Sequence, residues 1–181
     1  MKLRTVDLTL CALFAAVLAV CAWIRIPFGP IPFTLQTFGV FAVLGLLGGK
    51  RGTISILVYL LLGAFGLPVF SGFQGGFGAL FGVTGGYLIG FLITGVTVWL
   101  AEKWFGDGFW SFTISAAIGL LLCYAFGTAW FMIVYTQGGN AITLGGALSM
   151  CVLPFLIPDA AKLAAALLLR SRLKKAVPAA A

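Results

Sequence analysis

The sequence predicts an all-α integral membrane protein with six transmembrane helices and both termini cytoplasmic, organised as a single transmembrane domain over residues 1–181. Three observations predict it. Hydrophobic residues make up 62% of the chain and charged residues 8%, where a soluble domain carries about a quarter charged. The mean hydropathy is +1.17. The chain's 181 residues accommodate about six helices of roughly 20 residues with short loops, and leave no room for a soluble catalytic domain. The formal charge of +7 would suggest nucleic acid in a soluble chain. Here the basic residues flank hydrophobic segments, so the charge is read as orientation in a lipid bilayer, with no nucleic-acid partner.

In chain order, the first helix runs from about Val6 to Trp23. It carries two overlapping AxxxA pairs, Ala12 with Ala16 and Ala15 with Ala19. Small residues at that spacing form a groove for another helix, either within the same bundle or on a partner. A proline-rich loop, RIPFGPIPF, follows with Arg25 as its one charge. The second helix spans about Leu35 to Gly48, starting near Gln36, and Lys50 and Arg51 make the next turn. The third covers about Gly52 to Gly66 and is short, which suggests a tilted or partly re-entrant neighbour.

Next comes LPVFSGFQGGFGALFGVTGGY, in which glycines punctuate phenylalanines and a single amide, Gln74. Such a stretch makes a poor helix and a close-fitting loop, because bare backbone can approach a ligand. Phe70, Phe73, Phe77 and Phe81 would be costly in water, which favours a lid or pocket wall over a mere connection. The fourth helix runs from about Tyr87 to Ala101, ending at Glu102 and Lys103 before a WFGDG turn. The fifth covers about Phe109 to Tyr135 and leads into an uncharged TQGGN loop.

The last hydrophobic region, from Met150 to Leu169, is interrupted by Asp159 and Lys162 and followed by Arg170, Arg172, Lys174 and Lys175. An ionisable residue at bilayer depth costs a few kcal/mol or more and usually faces a partner or a polar cavity. The i,i+3 spacing puts carboxylate and ammonium on one helix face. Pro158 suits the first turn of a helix, and Pro154 would break any helix running through, leaving freed backbone groups near the pair. Two readings stay open: a ligand pocket, or an ion pair that locks two helices.

Lys2, Arg4, Lys50, Arg51, Lys103, Arg170, Arg172, Lys174 and Lys175 fall on one side of this layout and Arg25 on the other. The positive-inside rule makes the first side cytoplasmic. The proline-rich, glycine–phenylalanine and TQGGN loops then face outward, where their amides and aromatics suit capture of a small, partly apolar solute.

Enzyme chemistry finds little support. The chain has no histidine, which removes the usual general base and the commonest zinc ligand. Cys11, Cys21, Cys123 and Cys151 sit in apolar stretches without CxxC spacing and read as buried hydrophobes. GLLGGKRGT fails as a nucleotide-binding loop, because Leu44 stands where glycine is needed and Arg51 where a serine or threonine would hold magnesium. Asp7 and Asp107 belong to cytoplasmic helix ends and cannot form an acid dyad at depth. No metal or cofactor is implied, and the chain is read as not an enzyme.

Four stretches together resemble the BioY family, the biotin-specific substrate-capturing S component of energy-coupling-factor (ECF) vitamin transporters. They are IPFTLQTF (Ile31 to Phe38), GLPVFSGFQGGFGALFG (Gly66 to Gly82), TGGYLIGF (Thr84 to Phe91) and IPDAAK (Ile157 to Lys162). The resemblance implies six transmembrane helices with a vitamin pocket near the outer face, roofed by outer loops and floored by the later helices. Asp159 and Lys162 match the family's acid and lysine, Gln36 its glutamine at the start of the second helix. Gln74 stands where relatives carry asparagine, and Tyr87 follows the paired glycines. Position 88 is leucine where some relatives carry a base, which leaves Arg25 and Lys162 as candidates for the vitamin's carboxylate.

Biotin's ureido ring suits a carboxylate such as Asp159 and an amide such as Gln74, its bicycle suits Phe73 and Tyr87, and its valerate carboxylate suits a cation. The resemblance further implies residence in a prokaryotic cell membrane, and work with a membrane coupling protein (T component) and cytoplasmic ATPases. Docking to that protein would use Ala12, Ala15, Ala16 and Ala19. The competing expectations are an S component for a different vitamin, or a structural subunit whose Asp159 and Lys162 lock helices.

Overall fold

The computed structural model describes residues 5–27 and 31–176; Lys2 and Arg4 of the topology count lie outside the described residues. The chain forms α1 (Thr5–Trp23), a two-stranded ribbon of β1 (Arg25–Ile26) and β2 (Phe33–Thr34), α2 (Gln36–Leu47), α3 (Gly49–Ala64), the short α4 (Phe77–Leu80), α5 (Gly85–Phe105), α6 (Phe109–Gln137), α7 (Leu144–Cys151) and α8 (Leu153–Leu173). A 3₁₀ turn at Lys174–Ala176 follows. The ribbon is antiparallel, with Arg25 opposite Thr34 and Ile26 opposite Phe33.

Among the described residues, four segments are long and apolar enough to cross a membrane: Thr5–Trp23, Gly85–Phe105, Phe109–Gln137 and Leu144–Leu173. The α2 helix is apolar but only 12 residues long, about 18 Å at 1.5 Å per residue against a hydrocarbon core of about 30 Å. Nearly all of its residues are buried. A helix hydrophobic all round belongs in the middle of a bundle, and α2 packs there against α1, α3 and α8.

Close approach is set by small residues. At Gly90 of α5 an added Cβ would sit 2.5 Å from Cys123 Sγ of α6, and at Gly119 of α6 one would meet Thr94 Cγ2 at 2.8 Å. Glycine there lets the two backbones nearly touch, the usual basis of helix association in lipid. Gly48, with φ of 80°, makes the turn from α2 into α3, a conformation that side-chain-bearing residues avoid.

The final region departs from expectation. It is one continuous hydrophobic stretch in sequence, yet the helix breaks at Val152, between α7 and α8. Pro154, and not Pro158, occupies the first turn of α8, where its missing N–H does no harm. Pro158 lies inside the helix and cannot donate to the carbonyl of residue 154. The glycine–phenylalanine stretch likewise gains structure: Phe70 and Gln74 bridge across a tight hairpin, and α4 follows.

Charged residues gather at one end. Asp7 of α1 pairs with Arg51 of α3 at 3.0 Å, both buried. Asp107 pairs with Arg170 at 2.6 Å and with Lys174, and the Glu102 carboxylate accepts from the Gly49 N–H at the start of α3, where the helix dipole favours an anion. Asp159 lies 11 residues before Arg170 on α8, about 16 Å along the axis. It therefore belongs to a different level of the bundle.

Two apolar clusters fill the interior. The larger joins α1, α2, α3, α5 and α6 around Phe41, Ile56, Tyr59 and Phe91. The smaller, around Phe131, Ala147, Cys151 and Phe155, joins α6, α7 and α8 to Ile31. Between them lies a cavity.

Candidate functional site

The cavity draws its walls from both clusters and, counted with its open mouth, spans about 750 Å³. Its charged floor comes from α8. One helical turn separates Asp159 from Lys162, and the ammonium Nζ donates to Asp159 Oδ1 at 2.7 Å. Both residues are nearly shut off from solvent, 2% and 7% exposed. Tyr124, reaching across from α6, donates its hydroxyl to Asp159 Oδ2 at 2.5 Å. Lys162 Nζ also sits 4.1 Å from the centre of the Phe33 ring, which is stacked on Phe155. Desolvating two charges is unfavourable by several kcal/mol each, and added hydrogen bonds and a π face are what make such a pair tolerable. Each carboxylate oxygen has accepted one bond and retains a lone pair for a ligand donor.

The other walls carry mostly neutral polar groups. Gln36, at the start of α2, donates from Nε2 to the Tyr59 hydroxyl at 2.8 Å. The Tyr87 and Thr128 hydroxyls share a hydrogen bond of 2.9 Å. Gln74 lines the cavity from the hairpin, beside Ser71. Phe70, Leu88, Phe91 and Phe155 supply hydrocarbon.

Of the residues singled out in sequence, Asp159, Lys162, Gln74, Tyr87 and Gln36 line this one cavity. Phe73 and Arg25 are not among its lining residues. Phe73 is 64% exposed and stacks on Trp23 at 5.1 Å. The hairpin explains this: Phe70 N–H bonds Gln74 C=O, which sets Phe70 and Gln74 side by side, and Phe73 takes the positive φ of 57° at the turn. Phe70 is the apolar wall. Arg25, on β1, is exposed and lays its guanidinium over Gly72, where an added Cβ would lie 2.7 Å from Nη1.

The alanine pairs of α1 split by face. Ala15 and Ala19 are buried, 1% and 5% exposed, within this chain's own core, so they offer no groove to a partner. Ala12 and Ala16 face outward. Asp159 and Lys162 share one helix, as their spacing implied. The link between helices is the Tyr124 hydroxyl.

Sequence reasoning missed Tyr124, Phe33 and Ser71, and did not separate Phe70 from the other phenylalanines of its stretch. For Tyr124 a signal existed: a phenol within a long apolar helix needs a partner for its hydroxyl. Phe33 carried none, since its position over Lys162 follows from how the ribbon folds back onto α8.

The sequence matches the BioY family model over residues 1–179. It is 43% identical to a biotin transporter BioY of Thermotoga maritima, over 90% of this chain and 92% of that one. It is 38% identical to a probable biotin transporter BioY of Pyrococcus horikoshii, over 95% and 98%. Among solved structures, a crystal structure of the S component for biotin from an ECF-type ABC transporter superposes with a TM-score of 0.81 at 29% identity, covering 93% of this chain and 90% of that one.

Proposed function

The chain belongs to the BioY family, and from that premise we propose that it is the biotin-binding S component of an ECF-type transporter and not an enzyme. The observation that carries the reading is the buried carboxylate of Asp159. It keeps acceptor capacity on both oxygens, with the Lys162 ammonium 2.7 Å away. A cyclic urea presents N–H donors beside a carbonyl acceptor. Asp159 takes an N–H and Lys162 donates to the carbonyl, so the pair acts as one unit on the ring. The ligand packs on Phe70 and Tyr87, with Gln36 and Gln74 as further polar contacts. An apolar enclosure with few convergent polar groups is the usual form of such a site.

The finer organisation is part of the proposal. α2 and α3 serve as the second and third of six crossings; α2 is enclosed by its neighbours, while α3 turns Leu57, Leu61 and Leu62 outward. The charged end, with Arg51, Arg170 and Lys174, is cytoplasmic by the positive-inside rule, so both termini are too and the cavity opens outward. The chain resides in a prokaryotic cell membrane and delivers its ligand when docked to a membrane coupling protein and cytoplasmic ATPases. The docking face includes Ala12 and Ala16.

Calorimetric titration of the detergent-purified chain with biotin tests the reading. We expect saturable binding of one ligand per chain. A folded sample that gives no heat with biotin but binds another vitamin would overturn the assignment of the solute.

A further inference from the structure

We infer that the carboxylate of the bound ligand is received by uncharged donors led by the Ser71 hydroxyl, and not by a cation; this deepens the biotin reading and rests on it. Ser71 Oγ is buried and has no hydrogen-bond partner among the described residues, yet Ser71 lines the cavity. A buried hydroxyl left unpaired is unfavourable, because it has given up water without gaining a partner. Several other polar groups of the walls are engaged: Gln36 with Tyr59, Tyr87 with Thr128, Tyr124 and Lys162 with Asp159. Among the described residues lining the cavity, Ser71 Oγ is the buried side-chain oxygen left unpaired, and so open to a ligand.

Charge points the same way. The ionised residues lining the cavity are Asp159 and Lys162, held 2.7 Å apart. An anion placed equally far from both would gain from the ammonium about what it loses to the carboxylate. The pair therefore offers an anion almost no net attraction. It also belongs to the ring end of the ligand, and biotin carries its carboxylate at the far end of an extended chain. The charged floor comes from α8, with Tyr124 of α6 bonded to it, whereas the hairpin bearing Ser71 and Gln74 is tied to α3, where Phe70 packs over Gly63 and edge-on to Tyr59. The chain end of the ligand meets that separate wall, where a serine hydroxyl and an amide NH₂ can both donate to a carboxylate oxygen.

The test is calorimetric titration with biotin, biotinamide, and the analogue whose carboxyl is replaced by methyl. Wild type should bind biotin and biotinamide within about tenfold of each other, as neutral donors serve an amide carbonyl nearly as well. Ser71→Ala should weaken biotin about tenfold and leave the methyl analogue within about twofold, and Ser71→Thr, which keeps the hydroxyl, should restore binding. A biotin preference over the amide greater than about tenfold that disappears in Arg25→Ala would overturn the inference, because a cation would then be the receptor. Equal loss of biotin and the methyl analogue in Ser71→Ala would overturn it too. Failure of wild type to bind biotin would instead sink the functional reading itself.

Discussion

Tyr124 donates its hydroxyl to Asp159 across 2.5 Å, joining α6 to the one-turn ion pair on α8. This contact holds the carboxylate in place while Lys162 occupies its other oxygen. Tyr124→Phe keeps the ring and removes the donor. A hydrogen bond to a charged group contributes about 1.5–3 kcal/mol, so thermal stability should fall measurably and biotin affinity should drop about tenfold. Unchanged affinity with reduced stability would make Tyr124 a purely structural tie.

The pair itself can be separated into structural and binding roles. Asp159→Asn leaves Lys162 as a buried, uncompensated charge, which destabilises by about 3–5 kcal/mol. Combining it with Lys162→Met should recover much of that loss, since a buried pair replaced by apolar groups is often neutral in stability. Biotin binding should remain lost in the double variant. Recovery of binding along with stability would mean that the ligand does not use the carboxylate.

Phe70 and Phe73 stand three residues apart on one hairpin and make opposite predictions. Phe70 is 3% exposed and packs edge-on to Tyr59, so Phe70→Ala should destabilise by about 3–5 kcal/mol and weaken binding. Phe73→Ala removes a ring that stacks on Trp23 outside the cavity, and affinity should stay within about threefold. Parallel titrations and thermal melts of the two variants would decide whether the hairpin orients the rings as described.

That contrast marks the limit of what was legible in the sequence. Hydropathy gave the long apolar segments, and the expense of charge at depth gave Asp159 and Lys162, because both effects exceed a kcal/mol and act locally. The ends of the helices followed glycine and charge within a few residues. The wall residues did not follow. The inward turn of Phe70 and the outward turn of Phe73 go with a tight hairpin closed by the Phe70–Gln74 hydrogen bond, and Phe33 reaches Lys162 because a local ribbon lies against the distant α8. Pro158 was expected to start a helix and Pro154 to break one; the break falls at Val152, two residues before Pro154, and the helix runs on through Pro158.

The overlapping alanine pairs of α1 make the last test. Ala15 sits in the core at 1% exposure, and Ala15→Leu would force three extra carbons into filled space, destabilising by about 1–3 kcal/mol or more. Ala16, one residue on, faces outward, where a leucine meets lipid at little cost. Ala16→Leu should therefore leave the melting temperature and biotin affinity of the isolated chain unchanged. If the outward face docks on the coupling protein, the same variant should lose co-purification with that protein and biotin uptake in cells, because a bulky side chain holds the two helices apart. Full uptake by Ala16→Leu would remove this face of α1 from the docking surface and shift it to another lipid-facing helix.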